Sequence, residues 1–297
     1  ITLGEGVYSL GDTRTIKDVR GWKLTFKGAG AGKTTLQIRA PQTPYVGDGY
    51  CDYSLQNSDS IIFQDMTVIG SVYPDETIKV NNYQGLIRVQ HITLENCDFK
   101  GRADYWGYTS TTFNNVTFYA PGTPESGIND TDYSLWTYTG KTYTFKDCTF
   151  NSNGRTINVY RNASSEDGSD SGSYNNVTVY FENCTVNSID AKEVSGAAKT
   201  ALNINDSNRG EYKYIIRISG DNKVTAAVDK TTCSRVFGFG GEEKEPIYNT
   251  GRTEVYVNGE HVWGKKDDVQ KGELKTHECS AGEAEHQVTT EKTEWKT

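Results

Sequence analysis

The chain is poor in methionine and proline, with Met66 alone and 6 prolines in 297 residues. Only 35% of its residues are hydrophobic. A compact helical or α/β enzyme carries more Leu, Ala and Met, so the composition argues against those classes. No apolar run approaches the roughly 18 residues of a membrane-spanning helix. Positive charge is in deficit: 31 Lys and Arg stand against 39 Asp and Glu, for a formal charge of −8. No basic stripe is visible, which argues against broad electrostatic binding to nucleic acid or anionic lipid. What is abundant is Gly, at 30, and Tyr, at 19, among many Thr, Val and Asn. That mixture favours an all-β chain. The sequence opens at Ile1 and stops at Trp295-Lys296-Thr297. The expectation is a piece of a longer protein whose targeting signals lie elsewhere.

A repeat organises the chain. Its core is apolar-x-apolar-x-turn, where the turn residue is Asn, Asp or Gly. It reads Leu24-Thr25-Phe26-Lys27-Gly28, Ile61-Ile62-Phe63-Gln64-Asp65, Ile92-Thr93-Leu94-Glu95-Asn96 and Thr111-Thr112-Phe113-Asn114-Asn115. Tyr143-Thr144-Phe145-Lys146-Asp147, Val179-Tyr180-Phe181-Glu182-Asn183 and Ile216-Arg217-Ile218-Ser219-Gly220 continue it. Val255-Tyr256-Val257-Asn258-Gly259 is either an eighth copy or a plain Asn-Gly hairpin. From the second apolar position the gaps are 37, 31, 19, 32, 36, 37 and 39 residues. All but the gap of 19 suit one solenoid turn with loop insertions, so that gap is the weak point of the register.

Period-two alternation puts Ile92 and Leu94 on one face and Thr93 and Glu95 on the other. Gly, Asn and Asp tolerate a left-handed backbone, so a corner is expected at Gly28, Asp65, Asn96, Asn115, Asp147, Asn183, Gly220 and Gly259. Alternation then resumes, as in Cys97 and Phe99 or Cys148 and Phe150. Each repeat is strand, corner, strand. None can bury its apolar face alone, so the repeats must stack.

The opening Ile1-Thr2-Leu3-Gly4-Glu5-Gly6-Val7-Tyr8, the run Leu24–Gly30 and Lys33-Thr34-Thr35-Leu36 resemble the first coil of the pectate-lyase-like superfamily. The Phe-x-Asn-Cys-like cores resemble its ordinary repeat. The resemblance covers roughly residues 1–263. It implies an all-β, right-handed, single-stranded parallel β-helix of about seven to eight coils, and it is nearly silent on activity. Residues 264–297 form a charged tail, read as a linker or the start of a following domain.

Several motifs invite chemistry and are better read as structure. Gly28-Ala29-Gly30-Ala31-Gly32-Lys33-Thr34 is similar to a phosphate-binding loop, but its spacing is wrong and Thr34-Leu36-Ile38 alternates like a strand. A turn between coils is expected. Cys51, Cys97, Cys148, Cys184, Cys233 and Cys279 show no metal-binding spacing. Three of them, Cys97, Cys148 and Cys184, share one inward position and read as buried free thiols. Cys148 and Cys184 fall in adjacent coils, yet thiols stacked in one direction seldom meet disulfide geometry. His277, Cys279 and His286 lie in the charged tail, where a zinc site is the weaker reading. Asp167 and Asp170 lack the full ligand spacing of a calcium loop. No cofactor is expected. Of the Asn-x-Ser/Thr sequons, Asn115 and Asn183 already serve as corners.

Enzymes of the superfamily act in a groove over the strand preceding the repeated core. Those strands are expected at Leu86–Val89, Ser134–Tyr138, Thr156–Tyr160, Ala201–Asn205 and Val236–Phe239. If Ile87, Val89, Leu135, Ile157, Val159, Leu202 and Ile204 point inward, the outward set is Arg88, Trp136, Tyr138, Asn158, Tyr160, Asn203 and Asn205. Nearby loops are expected to add Tyr105, Trp106, Tyr108 and Tyr133. This list holds no carboxylate pair of the kind glycoside hydrolysis uses. Nor do the acidic calcium ligands with a basic residue of the lyases, or the Gln and two Asp of the esterases, map onto it. Aromatic and amide groups at low charge suit sugar stacking or a protein partner.

The resemblance, the acidic balance and this surface together suggest an extracellular module of a large Gram-positive bacterial surface protein. Its expected partner is a host glycan, a glycoprotein or immunoglobulin, bound by a monomeric, non-catalytic domain. A carbohydrate-active enzyme of the superfamily ranks second, and a structural spacer third.

Overall fold

A computed structural model describes residues 1–9, 19–37, 50–51, 55, 58–69, 83–101, 103–119, 135–138, 140–152, 155–160, 177–188, 200–205, 214–225, 235–239, 253–263 and 286–287. Every regular element among them is a β-strand. No helix among the described residues is long and apolar enough to cross a membrane. In chain order β1 (Gly6–Ser9) is followed by β2 (Lys23–Lys27), β3 (Thr34–Gln37), β4 (Tyr50–Cys51) and β5 (Ser60–Ile69). The long β6 (Tyr83–Lys100) and β7 (Ala103–Tyr119) each run through a whole coil. β8 (Leu135–Tyr138), β9 (Thr142–Lys146) and β10 (Thr149–Ser152) make the next coil. β11 (Arg155–Tyr160), β12 (Val177–Glu182) and β13 (Thr185–Ser188) follow, then β14 (Thr200–Asn205), β15 (Tyr214–Ser219) and β16 (Lys223–Thr225). β17 (Arg235–Phe239), β18 (Thr253–Val257), β19 (Glu260–Trp263) and β20 (His286–Gln287) close the chain.

The pairing is that of a parallel β-helix with three faces. On the first lie β4, the leading parts of β6 and β7, and β8, β11, β14 and β17. The second carries the repeat cores, and their register is the one the sequence spacing implies. Phe26 pairs with Phe63, Phe63 with Leu94, Leu94 with Phe113, and Phe113 with Phe145. Phe145 then pairs with Phe181, Phe181 with Ile218, and Ile218 with Val257. Eight stacked strands at about 4.8 Å spacing give a ladder roughly 34 Å long. The third face stacks β1, β3, the end of β5, the ends of β6 and β7, β10, β13 and β16.

The gap of 19 is a complete coil. Gln84 pairs with Ala103, His91 with Ser110, and Lys100 with Tyr119, so β6 and β7 stay in contact over all three faces. Nineteen residues suffice for a coil, and the longer repeats simply contain more chain. Tyr105, Trp106 and Tyr108, expected in a loop, therefore lie on β7. No insertion separates the two coils there.

Corners recur as expected. Asp65, Asn96, Asn115, Asp147 and Asn183 have φ of 52–54°, and Gly220 has φ of 72°. Gly28 departs from the pattern, since its φ is not left-handed. It is required for another reason: an added Cβ would run into the carbonyl of Asp65 and lie 2.8 Å from Thr34 Cβ. The last repeat is both things its sequence allowed. β18 pairs in parallel with β15, and Asn258-Gly259 then turns it into the antiparallel β19. Of the 264–297 segment, His286 and Gln287 pair antiparallel with Val224 and Lys223.

Stacked side chains fill the interior. Phe113 and Phe145 lie 5.2 Å apart at 9°, and Phe118 and Phe150 lie 5.0 Å apart at 6°. Identical rings at one register position thus lie nearly parallel in neighbouring coils, at centroid distances within the range of favourable aromatic pairs. Cys97, Cys148 and Cys184 are buried free thiols in this core. Each donates to the carbonyl two residues before it, at 3.2–3.3 Å, and to one in the preceding coil at 3.5 Å. The thiol thus serves as a small filler that also caps a carbonyl at the corner.

Candidate functional site

The expected site lies on the first face, and the backbone register decides which of its members meet. Trp136, Asn158 and Asn203 occupy one column over β8, β11 and β14. Tyr138, Tyr160 and Asn205 occupy the column two residues along. Leu135 and Ile157, which alternate with these positions, are fully buried, as is Val89. The alternation assumed from the sequence therefore holds at those three anchors.

Other members do not join. Tyr105 pairs with Thr137, which pairs with Val159, and Val159 pairs with Ile204. This column is offset by one residue from both site columns. Arg88, Trp106 and Tyr108 fall where the β6–β7 register shifts, between Leu86 and His91 on the β6 side. A shift of register moves side chains between faces, so period two cannot be carried through that stretch. The register adds one residue the sequence list lacked: Asp104 pairs with Trp136 and opens its column. Tyr133, His277, Cys279, Asp167 and Asp170 lie outside the described residues.

The turn at Gly28–Thr34, expected between coils, lies within one: it joins β2 on the second face to β3 on the third, and both strands pair with β5 of the next coil. Ala29 N–H donates to Thr34 Oγ1 at 2.9 Å and Gly32 N–H to Thr67 Oγ1 at 3.0 Å. Thr34 Oγ1 in turn donates to Gly4 O at 2.7 Å, and strand β3 follows. These amides are committed to the protein itself.

Some charged groups pair between neighbouring coils, as Lys27 does with Asp65 at 3.7 Å. Lys146 Nζ lies 3.2 Å from Glu182 Oε1, and Gln64 Nε2 donates to Glu95 Oε2 at 2.7 Å. On the third face burial pushes the Asp98 carboxyl up, while Lys100 pulls it down. Among the described residues no cluster of three or more His, Cys, Asp or Glu gathers to hold a metal ion.

A second strip was legible in the sequence but not read there. The middle residue of each repeat core forms an outward column: Thr25, Ile62, Thr93, Thr112, Thr144, Tyr180, Arg217 and Tyr256 in successive coils. Tyr180 is 41% exposed. The Arg217 guanidinium sits 4.6 Å from the Tyr256 ring centroid, and that ring stacks on His261 at 4.7 Å. The signal in the sequence is the residue between the two apolar positions of each core.

No known protein family, curated protein or solved structure matches the chain.

Proposed function

We propose that this chain is a non-catalytic binding module of a bacterial cell-surface protein, holding a host glycan or glycoprotein, immunoglobulin included, along its first face. The observation that carries this reading is the pair of adjacent columns Trp136–Asn158–Asn203 and Tyr138–Tyr160–Asn205. Aromatic and amide groups repeated at each coil suit a ligand made of repeating rings and hydroxyls. Hydrolysis of a glycosidic bond uses two carboxylates, and the two columns contain one, Asp104. The resemblance to pectate-lyase-like solenoids and the charge of −8 favour a surface role over a nucleic-acid one.

The test is an array of host glycans and serum and mucus proteins, followed by Trp136→Ala and Tyr138→Ala on whatever binds. Weaker binding by about tenfold at unchanged melting temperature is expected. Unchanged affinity in both variants, or silence across the array, overturns the proposal. New reducing ends or unsaturated products from any polysaccharide would make the chain an enzyme instead.

A further inference from the structure

We propose that Asn258 is a modification site: in water it loses its side-chain amide through a cyclic imide with the Gly259 nitrogen, and one of the products loosens the C-terminal cap of the solenoid. The site uses none of the residues of the first-face reading, so the two stand or fall separately.

The reaction needs an uncommitted backbone nitrogen after the asparagine, a leaving nitrogen that is not tied down, and room. Asn258 and Gly259 hold the two central positions of the β18–β19 turn, with φ of 48° and 85°, and both are exposed. Gly259 N–H makes no hydrogen bond among the described residues. Beyond its chain neighbours no atom lies within 4 Å of where a Gly259 Cβ would stand. Asn258 Nδ2 has no partner among the described residues, while its Oδ1 accepts from Gly220 N–H at 3.2 Å. That donor sits on the oxygen that turns negative as the nitrogen adds, which is how backbone amides stabilise an oxyanion. A rotation about the Asn258 Cα–C bond brings the Gly259 nitrogen to the side-chain carbon. Among the described residues β19 pairs with β18 alone, so this rotation disturbs only an edge pair.

The step balances with water alone. The Gly259 nitrogen gives its proton to solvent and bonds to Asn258 Cγ. The Cγ–Nδ2 bond breaks, and the leaving nitrogen takes a proton from solvent and departs as ammonia. Water then opens the five-membered imide at either carbonyl. Opening at the side-chain carbonyl leaves aspartate. Opening at the main-chain carbonyl leaves isoaspartate, whose chain runs through the former side chain. Nothing is oxidised or reduced. Aspartate keeps an oxygen for Gly220 N–H. Isoaspartate adds a methylene to the main chain of a two-residue turn, and the length of that turn sets the hairpin register. The pairing of Tyr256 with His261, and the stack of their rings at 4.7 Å, rests on that register.

The corner asparagines are closed to the same chemistry. Asn96, Asn115 and Asn183 tie their Nδ2 groups to Asp65, Asn96 and Asp147. Each is followed by a buried residue, Cys97, Val116 or Cys184, and Cys184 N–H is committed to Asn222 Oδ1. The sequence has one other Asn-Gly pair, Asn153-Gly154, which lies outside the described residues.

The test holds the full chain, folded, in mildly alkaline buffer and samples it over weeks. Trypsin releases the peptide between Arg252 and Lys265. In it mass spectrometry reads the change from amide to acid, and an isoaspartyl methyltransferase reads the isoaspartate. Asn258 is expected to convert at least about tenfold faster than Asn96, Asn115 and Asn183, whose side chains are held away from attack. Brief chymotrypsin cleavage between Tyr256 and Trp263 should rise with the isoaspartate content. Freshly prepared Asn258→Asp should be cut there no faster than the parent. Asn258→Gln, whose longer side chain would have to close a six-membered ring, should resist both changes. An amide at 258 that lasts as long as those at Asn115 and Asn183, or that is lost only after unfolding in urea, overturns the proposal. So does cleavage of the hairpin that rises as fast in Asn258→Gln as in the parent.

Discussion

Asn183 Nδ2 donates to Asp147 Oδ1 across one coil at 3.2 Å, and Asp147 has no hydrogen to pass on to Asn115. The corner residues otherwise form chains of one polarity. Asn115 Nδ2 donates to Asn96 Oδ1 at 2.9 Å, and Asn96 Nδ2 to Asp65 Oδ1 at 3.1 Å. On the other side Asp221 N–H donates to Asn183 Oδ1 at 3.0 Å. The corner ladder is therefore two segments, broken between Asn115 and Asp147 because two acceptors face one another. Asp147→Asn supplies the missing donor, while its remaining oxygen still accepts from Asn183. The expected gain is about 0.5–1.5 kcal/mol, read as a rise in the midpoint of chemical unfolding. Production in a host that does not glycosylate avoids the sequon this change creates. A variant no more stable than the parent would show that the break costs nothing.

Thr111 identifies a second site of stored instability. It is fully buried in the column between Ile92 and Tyr143, and its Oγ1 finds no hydrogen-bond partner. A desolvated hydroxyl without a partner costs about 1–3 kcal/mol, and an isosteric methyl costs nothing comparable. Thr111→Val should therefore stabilise the chain by about 1–2 kcal/mol in the same unfolding measurement. Thr112→Val, one residue along and half-buried, is the control and should change stability little. A destabilised Thr111→Val variant would mean the hydroxyl has a partner after all.

The second face was legible almost residue for residue, because two strong constraints coincide there. Burying alternate side chains fixes the period, and a left-handed corner admits only Gly, Asn or Asp without strain. Ile92, Leu94 and Cys97 were placed inward, and all three are buried. Gly28 was misread because a glycine is called for equally by positive φ and by close approach, and only coordinates distinguish them. The gap of 19 looked defective because the longer repeats elsewhere hid how little chain a coil needs. The first-face list is partly scattered for a related reason. Period two extrapolates only through regular ladder, and the β6–β7 register shifts between Leu86 and His91. Arg88, Trp106 and Tyr108 fall in that stretch, whereas Trp136, Asn158 and Asn203 lie in unbroken pairing.

The thiol column makes stability depend on pH from the alkaline side. Burial pushes the Cys97 thiol up from 9.0 to about 12, against the smaller pull of backbone hydrogen bonds at Met66 and Glu95. Burial pushes Cys184 up as well, helped by its neighbour Cys148. In the unfolded chain such a thiol ionises near its ordinary value, while in the fold it keeps its proton. The folded state therefore binds more protons between those limits, and stability falls as pH rises through them. Cys97's contribution is complete below about pH 9 and drains away toward pH 12, at about 1.4 kcal/mol per pH unit. The informative quantity is a difference between two proteins that share every other group. Guanidinium unfolding of the parent and of Cys97→Val at pH 8 and at pH 11 should show the parent losing more stability than the variant. Val fills the same space, so its fixed cost from the lost bonds to Phe63 O and Glu95 O appears equally at both pH values. Parallel losses in the two proteins would mean that Cys97 ionises as readily in the fold as outside it.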